Sequence, residues 1–175
     1  MAAKNVALLR GINLGARNKI AMGDLREVFA GLGAADVKTH VQSGNVIYEG
    51  TLDAGAIEAR IKRELGLEIV VVTRTAAELA RVVEQNPFAN KASDPKQLHV
   101  TFLAAKPPAA RVKDLDPDRS PADEFAVTAR EVYLYTPNGY GVSKLSNAYF
   151  EKKLAVAGTS RNWNTVTALA ELARA

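Results

Sequence analysis

Between residues 6 and 74, short branched-apolar runs alternate with amphipathic stretches in the order β-α-β-β-α-β. That order restricts the chain to very few folds. VALLRGI (6–12) is apolar and stopped by glycine, as a buried strand is. Met22, Leu25, Val28, Phe29 and Leu32 then recur at helical spacing over 22–33, with Gly33 placed to end the helix. VKTHV (37–41) and NVIYE (45–49) alternate, and the QSG between them supplies a hairpin turn. Ile57, Ile61 and Leu65 share one face of a second helix over 53–65, Gly66 follows, and LEIVVVTR (67–74) is β-branched enough for another strand. This is the order of the split βαβ, ferredoxin-like unit.

The order starts again further on. Thr75 and Glu78 have the spacing of a capping box, which opens a helix over 75–85. LHVTFLA (98–104) is a strand, the prolines at 107 and 108 open a short helix over 107–115, and 124–129 with 131–135 form a second hairpin. Helices follow over 143–155 and 164–175; the last strand of this half is missing or degenerate, and the C-terminal helix takes its place. The expectation is an α+β protein of two ferredoxin-like halves, the second with a modified C-terminal end. The divisions expected are residues 1–75, a linker helix and loop over 76–97, and 98–175. A chain of 175 residues has room for two such small subdomains.

Composition removes several chemistries. The chain has no cysteine, which excludes disulfides, thiol catalysis and Cys-ligated metals. Its two histidines, His40 and His99, have no His or Glu at ligand spacing, so neither a metal nor another cofactor is expected. The N-terminal apolar run, residues 6–9, is too short for a signal-peptide core or a membrane span. A cytoplasmic protein with no membrane partner is expected. The net charge of +4, without a long basic block, tilts the protein modestly toward anionic partners.

The split βαβ order also predicts where polar loops meet. Its first two strands run parallel with the third antiparallel between them. The loop leaving the first strand (13–19) and the tip of the first hairpin (42–45) therefore share one sheet edge. Arg10, Arg17 and Lys19 bring charge to that edge; Asn13, Asn18, Gln42, Ser43 and Asn45 bring hydrogen-bonding groups. Two further segments are candidates. TPNGYGVSKLS (136–146) leads from a strand through glycines to a helix start near Ser143 and Lys144, a geometry that presents amides to an anion. TSRNWNTV (159–166) offers the planar fork of Arg161 with Asn162 and Asn164, one of them an N-cap for the last helix.

These residues point to a binding module for a small anionic ligand, a nucleotide or a phosphorylated metabolite. A metal-independent transferase or hydrolase is the alternative, disfavoured because no nucleophile–base pair is evident. Nucleic-acid binding through a basic loop edge is a third reading. Base stacking on the sheet is disfavoured, since the first strand carries no aromatic and the third only Tyr48. Nothing in the sequence decides oligomeric state.

ALLRGINLGARNKIAMGDLR, VQSGNVIY, NPF, LHVTFL and FEKKL followed by GTSRNWNTV together resemble a bacterial family of proteins of unknown function. Its hallmark segments are L-R-G-I-N-x-G and R-N-W-N-T. The resemblance covers nearly the whole chain and implies an α+β fold with ferredoxin-like halves; it brings no activity. Ala16 departs from the family pattern, which has a further Gly there. The hallmark segments coincide with polar loops picked out above, the 13–19 loop and the 159–166 segment.

Overall fold

The computed structural model describes residues 3–175. The chain divides into two compact units, residues 1–80 with 169–175, and residues 81–168. The protein is α+β, with two four-stranded antiparallel sheets.

The first sheet contains β1 (Lys4–Leu9), β2 (Ala35–His40), β3 (Asn45–Glu49) and β4 (Val71–Thr75), in the spatial order β2-β3-β1-β4. β3 is antiparallel to both β1 and β2. Helices α1 (Met22–Gly31) and α2 (Ala54–Leu65) cover one face. Leu25, Val28 and Phe29 of α1 and Ile57 and Ile61 of α2 pack with Leu9, Val46, Tyr48 and Val71. Each such side chain contributes about 1.5–3 kcal/mol through burial. The Phe29 and Tyr48 rings meet at 5.2 Å between centroids, and burial pushes the Tyr48 phenol up to about 12. Val6, Leu8, Ile47 and Val72, on the opposite face, are also buried. This is why the 6–9 run is apolar throughout instead of alternating. Asp53 caps α2, accepting from the Ala56 N–H, and Gly66 closes it in the left-handed conformation.

The expected first-half elements are present with shifted ends. Residues 67–70 are not strand; β4 begins at Val71. The capping box forms as its spacing predicts: the Glu78 N–H donates to Thr75 Oγ1 and the Thr75 N–H to Glu78 Oε1, opening α3 (Ala76–Glu84).

The second sheet contains β5 (Leu98–Leu103), β6 (Glu124–Thr128), β7 (Glu131–Tyr135) and β8 (Gly158–Asn162), in the order β6-β7-β5-β8. Its helices are α4 (Ala109–Lys113) and α5 (Asn147–Leu154), and α6 (Trp163–Arg174) follows β8 directly. The last strand of the second half, expected to be missing or degenerate, is present, and the C-terminal helix follows it instead of taking its place. β8 pairs with β5 from Asn162↔His99 to Gly158↔Leu103. Its sequence, GTSRN, carries no aliphatic side chain, so hydrophobic periodicity has nothing to report there. The helix expected from 143 begins at Asn147, because Ser146 is its N-cap and accepts from the Tyr149 N–H.

The two sheets share a device at their fourth strands. The N–H of Val71, the first residue of β4, donates to Glu58 Oε2 of α2 at 2.8 Å. The N–H of Gly158, the first residue of β8, donates to Glu151 Oε2 of α5 at 3.1 Å. In each half a helix carboxylate satisfies an amide that the sheet leaves without a partner strand. Glu58→Ala is expected to lower stability by about 1–2 kcal/mol in urea unfolding, with the denaturant slope unchanged.

Candidate functional site

The first-strand loop and the first-hairpin tip do meet. The Leu9 N–H donates to the Gly44 carbonyl at 2.8 Å, and Leu8 pairs with Asn45. Ile12 and Ile20 are buried, pinning both ends of a loop whose middle stands outward. Within it, Leu14 and Arg17 form a small antiparallel bridge. Asn13 fastens the arrangement: its Oδ1 accepts the Ile20 N–H at 2.8 Å, and its Nδ2 donates to the Ile20 carbonyl at 3.1 Å. The same Nδ2 reaches the Gln42 carbonyl at 2.7 Å, tying loop to hairpin. Asn18 Nδ2 donates to the Gly11 carbonyl at 3.1 Å.

Six residues of this rim have positive φ: Gly11 (66°), Asn13 (54°), Gly15 (60°), Asn18 (49°), Val41 (50°) and Gly44 (87°). Glycine and asparagine adopt that region readily, which accounts for five of them. Ala16 is not among them, so an alanine there introduces no backbone strain.

The expected site residues divide into fasteners and exposed groups. Asn13 and Asn18 hold the loop through their amides. Asn45 is fully buried, its Nδ2 donating to the His40 carbonyl and to Ser43 Oγ. Arg10, Arg17, Lys19, Gln42 and Ser43 have exposed side chains. Among the described residues, no acidic group lies within ion-pairing distance of Arg17 or Lys19. Several other cations of this unit do have acidic partners: Lys4 and Lys38 meet Asp36, and Arg60 meets Glu64. In the groove beside α2, Lys62 Nζ and Glu68 Oε1 are 2.7 Å apart, raising the one pKa and lowering the other.

The other candidates belong to the second unit. Ser143 and Lys144 do not start a helix, which corrects the expectation of amides presented there: the Ser143 hydroxyl accepts from the Leu145 N–H, and the Lys144 N–H donates to Ser120 Oγ. Arg161 is buried, its Nη1 donating to Thr159 Oγ1 and the Ser160 carbonyl, and burial pushes its pKa down to about 10. It is therefore turned inward, not held out as an anion fork. Asn162 caps α6, accepting from the Thr165 N–H at 2.9 Å, and Asn164 is exposed.

Sequence reasoning missed a polar cluster on the α5 side of the second sheet. The Thr101 and Ser160 hydroxyls, on paired strands, are 2.7 Å apart. Ser160 Oγ donates to Asn147 Oδ1 at 3.2 Å and accepts from Tyr140 OH at 3.4 Å. Asn147 Nδ2 in turn donates to Glu151 Oε1 and to the Gly158 carbonyl. Every Ser160 hydrogen-bonding position is thereby engaged, and an amide oxygen is no base, so the cluster latches α5 to β8 without activating a nucleophile. The ring of His99 stacks on Tyr140 at 4.2 Å, and its Nδ1 is buried without a hydrogen-bond partner. Burial drives the His99 pKa down to about 4. Among the described residues, no group of three or more His, Asp or Glu is placed to hold a metal ion, and no helix is long and apolar enough to cross a membrane.

No curated protein matches the chain. A solved structure of similar fold is that of the conserved bacterial protein SP0830 from Streptococcus pneumoniae. It aligns over 99% of both chains with a TM-score of 0.67 and 16% identity, a likeness of fold alone. Residues 2–133, three-quarters of the chain, match the family described as a protein of unknown function (DUF1697), and the chain belongs to that family.

Proposed function

We propose that the protein is a binding module whose rim, between the 13–19 loop and the 42–45 hairpin tip, takes the anionic group of a small ligand. Each half is read as a ferredoxin-like unit, with this rim at one edge of the first sheet, and the setting as cytoplasmic. The observation that carries the reading is the exposure of Arg17 and Lys19, without an acidic partner among the described residues, on a loop that Asn13 fastens to the hairpin. A fastened loop holds its cations in place before binding, so less ordering entropy opposes the ligand. Arg17 supplies a fork suited to phosphate or carboxylate, and Lys19 a point charge.

The test is a thermal-shift screen with nucleotides, sugar phosphates and short oligonucleotides. A ligand at about 100 times its Kd stabilises the native state by about 2.7 kcal/mol, a shift of several degrees. Arg17→Ala with Lys19→Ala is expected to abolish the shift while leaving the unliganded melting temperature within a degree or two. Binding of oligonucleotides alone, with affinity falling steeply as salt rises, would replace the small ligand with nucleic acid. Turnover of a screened compound would make the rim a catalytic one. No shift with any compound would overturn the reading.

A further inference from the structure

Among the described residues four large apolar side chains stand exposed: Leu14 (66%), Val41 (55%), Val142 and Leu172. Two of the four, Leu14 and Val41, are each one residue from the Asn13–Gln42 hydrogen bond and so stand on the rim with Arg17 and Lys19. Neither is required by the fold. The Leu14–Arg17 bridge is made by backbone groups, which a polar residue at position 14 would supply equally. Val41 sits at φ 50°, where a β-branched residue is strained and a glycine is not. An isopropyl group is thus held in water, at a turn that would form more easily without it.

We propose that the ligand of this rim carries its anionic group on an apolar body, as an alkyl or acyl phosphate does. This rests on the anion-binding reading above and narrows it. Arg17 and Lys19 take the headgroup; Leu14 and Val41 cover the first methylenes of the chain. A sugar phosphate or inorganic phosphate leaves both aliphatic side chains in water, whereas an amphiphile removes them from it. The same chemistry is offered by a soluble alkyl phosphate and by the anionic headgroup layer of a bilayer.

Calorimetric titration of the full chain with inorganic phosphate, and with hexyl phosphate below its micellar concentration, distinguishes the ligand classes. Hexyl phosphate is expected to bind at least about tenfold more tightly, which burial of two methylene groups suffices to give. Val41→Gly relieves backbone strain as it deletes the side chain, and Leu14→Ser changes an exposed position, so both variants are expected to fold. Each should reduce the hexyl preference to about threefold or less and leave phosphate affinity unchanged. Sedimentation with vesicles of phosphatidylglycerol and phosphatidylcholine separates the sources. Binding to vesicles as well as to hexyl phosphate supports a bilayer headgroup; binding to hexyl phosphate alone supports a free amphiphile. Equal affinity for phosphate and hexyl phosphate would overturn this inference and leave the anion site standing. No binding of any anion would overturn both.

Discussion

Gly44→Ala is expected to lower the free energy of unfolding by about 3–4 kcal/mol and to abolish ligand stabilisation at the rim. Two effects add at this position. The backbone has φ 87°, a conformation costing a non-glycine residue about 1–2 kcal/mol. The added Cβ would also lie 2.9 Å from Leu9 Cβ and 3.0 Å from Ile12 Cδ1. Leu9 is the last residue of β1 and fully buried, so its Cβ cannot retreat without moving the end of the strand. The Gly44 carbonyl, moreover, accepts the Leu9 N–H at 2.8 Å, so the displacement opens the contact joining loop to hairpin. Gly66→Ala is the control. Gly66 has φ 71° but nothing within 4 Å of an added Cβ, so it should show the backbone term alone, about 1–2 kcal/mol. Urea unfolding of the two variants separates strain from collision. A Gly44→Ala loss no larger than that of Gly66→Ala would mean that the hairpin tip is not packed against Leu9 and Ile12.

The meeting of these two loops was legible in the sequence because it follows from topology. Once 6–12, 37–41 and 45–49 are read as strands with a helix between the first two, the first strand's exit and the hairpin tip share an edge. What each side chain does there was not legible. Asparagine in a loop reads equally well as a ligand donor or as a fastener. Only the three-dimensional structure assigns Asn13 to Ile20 and Gln42, and Asn45 to the hairpin. The strained Val41 was invisible because φ leaves no trace in residue type unless the residue is glycine or asparagine.

The second half was harder to read for a related reason. β8 is held by what its small polar residues bond to: Thr101, Asn147 and Glu151 lie 13 to 59 residues from Ser160 or 7 to 11 from Gly158 in sequence. Hydrophobic periodicity detects faces that avoid water, and it says nothing of a strand held by hydroxyl and carboxylate contacts. The Glu58 and Glu151 pairings show the limit from the other side. Each reads as a solvated helix glutamate until the first amide of the fourth strand is seen beside it.

His99 gives the second large effect, and its sign follows from linkage. Free imidazole titrates near 6.5, and in the folded protein burial holds His99 to about 4. Between those values the unfolded chain binds the proton and the folded chain does not, so stability falls as pH is lowered from 6.5 to 4 and is fully retained above 6.5. The full shift corresponds to about 3 kcal/mol; the ring is only half-buried, and solvent screening reduces the expected loss to about 2 kcal/mol. Carboxylates also titrate toward the lower end of this range, so the measurement is a difference between two proteins. His99→Phe keeps a ring to stack on Tyr140 and removes both the titratable group and the unpartnered Nδ1. In urea unfolding at pH 7.0, 5.5 and 4.5, wild type should lose stability relative to His99→Phe as the pH falls, by about 2 kcal/mol over the series. The variant should match or exceed wild type at pH 7.0, because no buried nitrogen is left without a partner. Parallel pH profiles for the two proteins would mean that the imidazole titrates alike in the folded and unfolded chains, and would overturn a pKa lowered by burial.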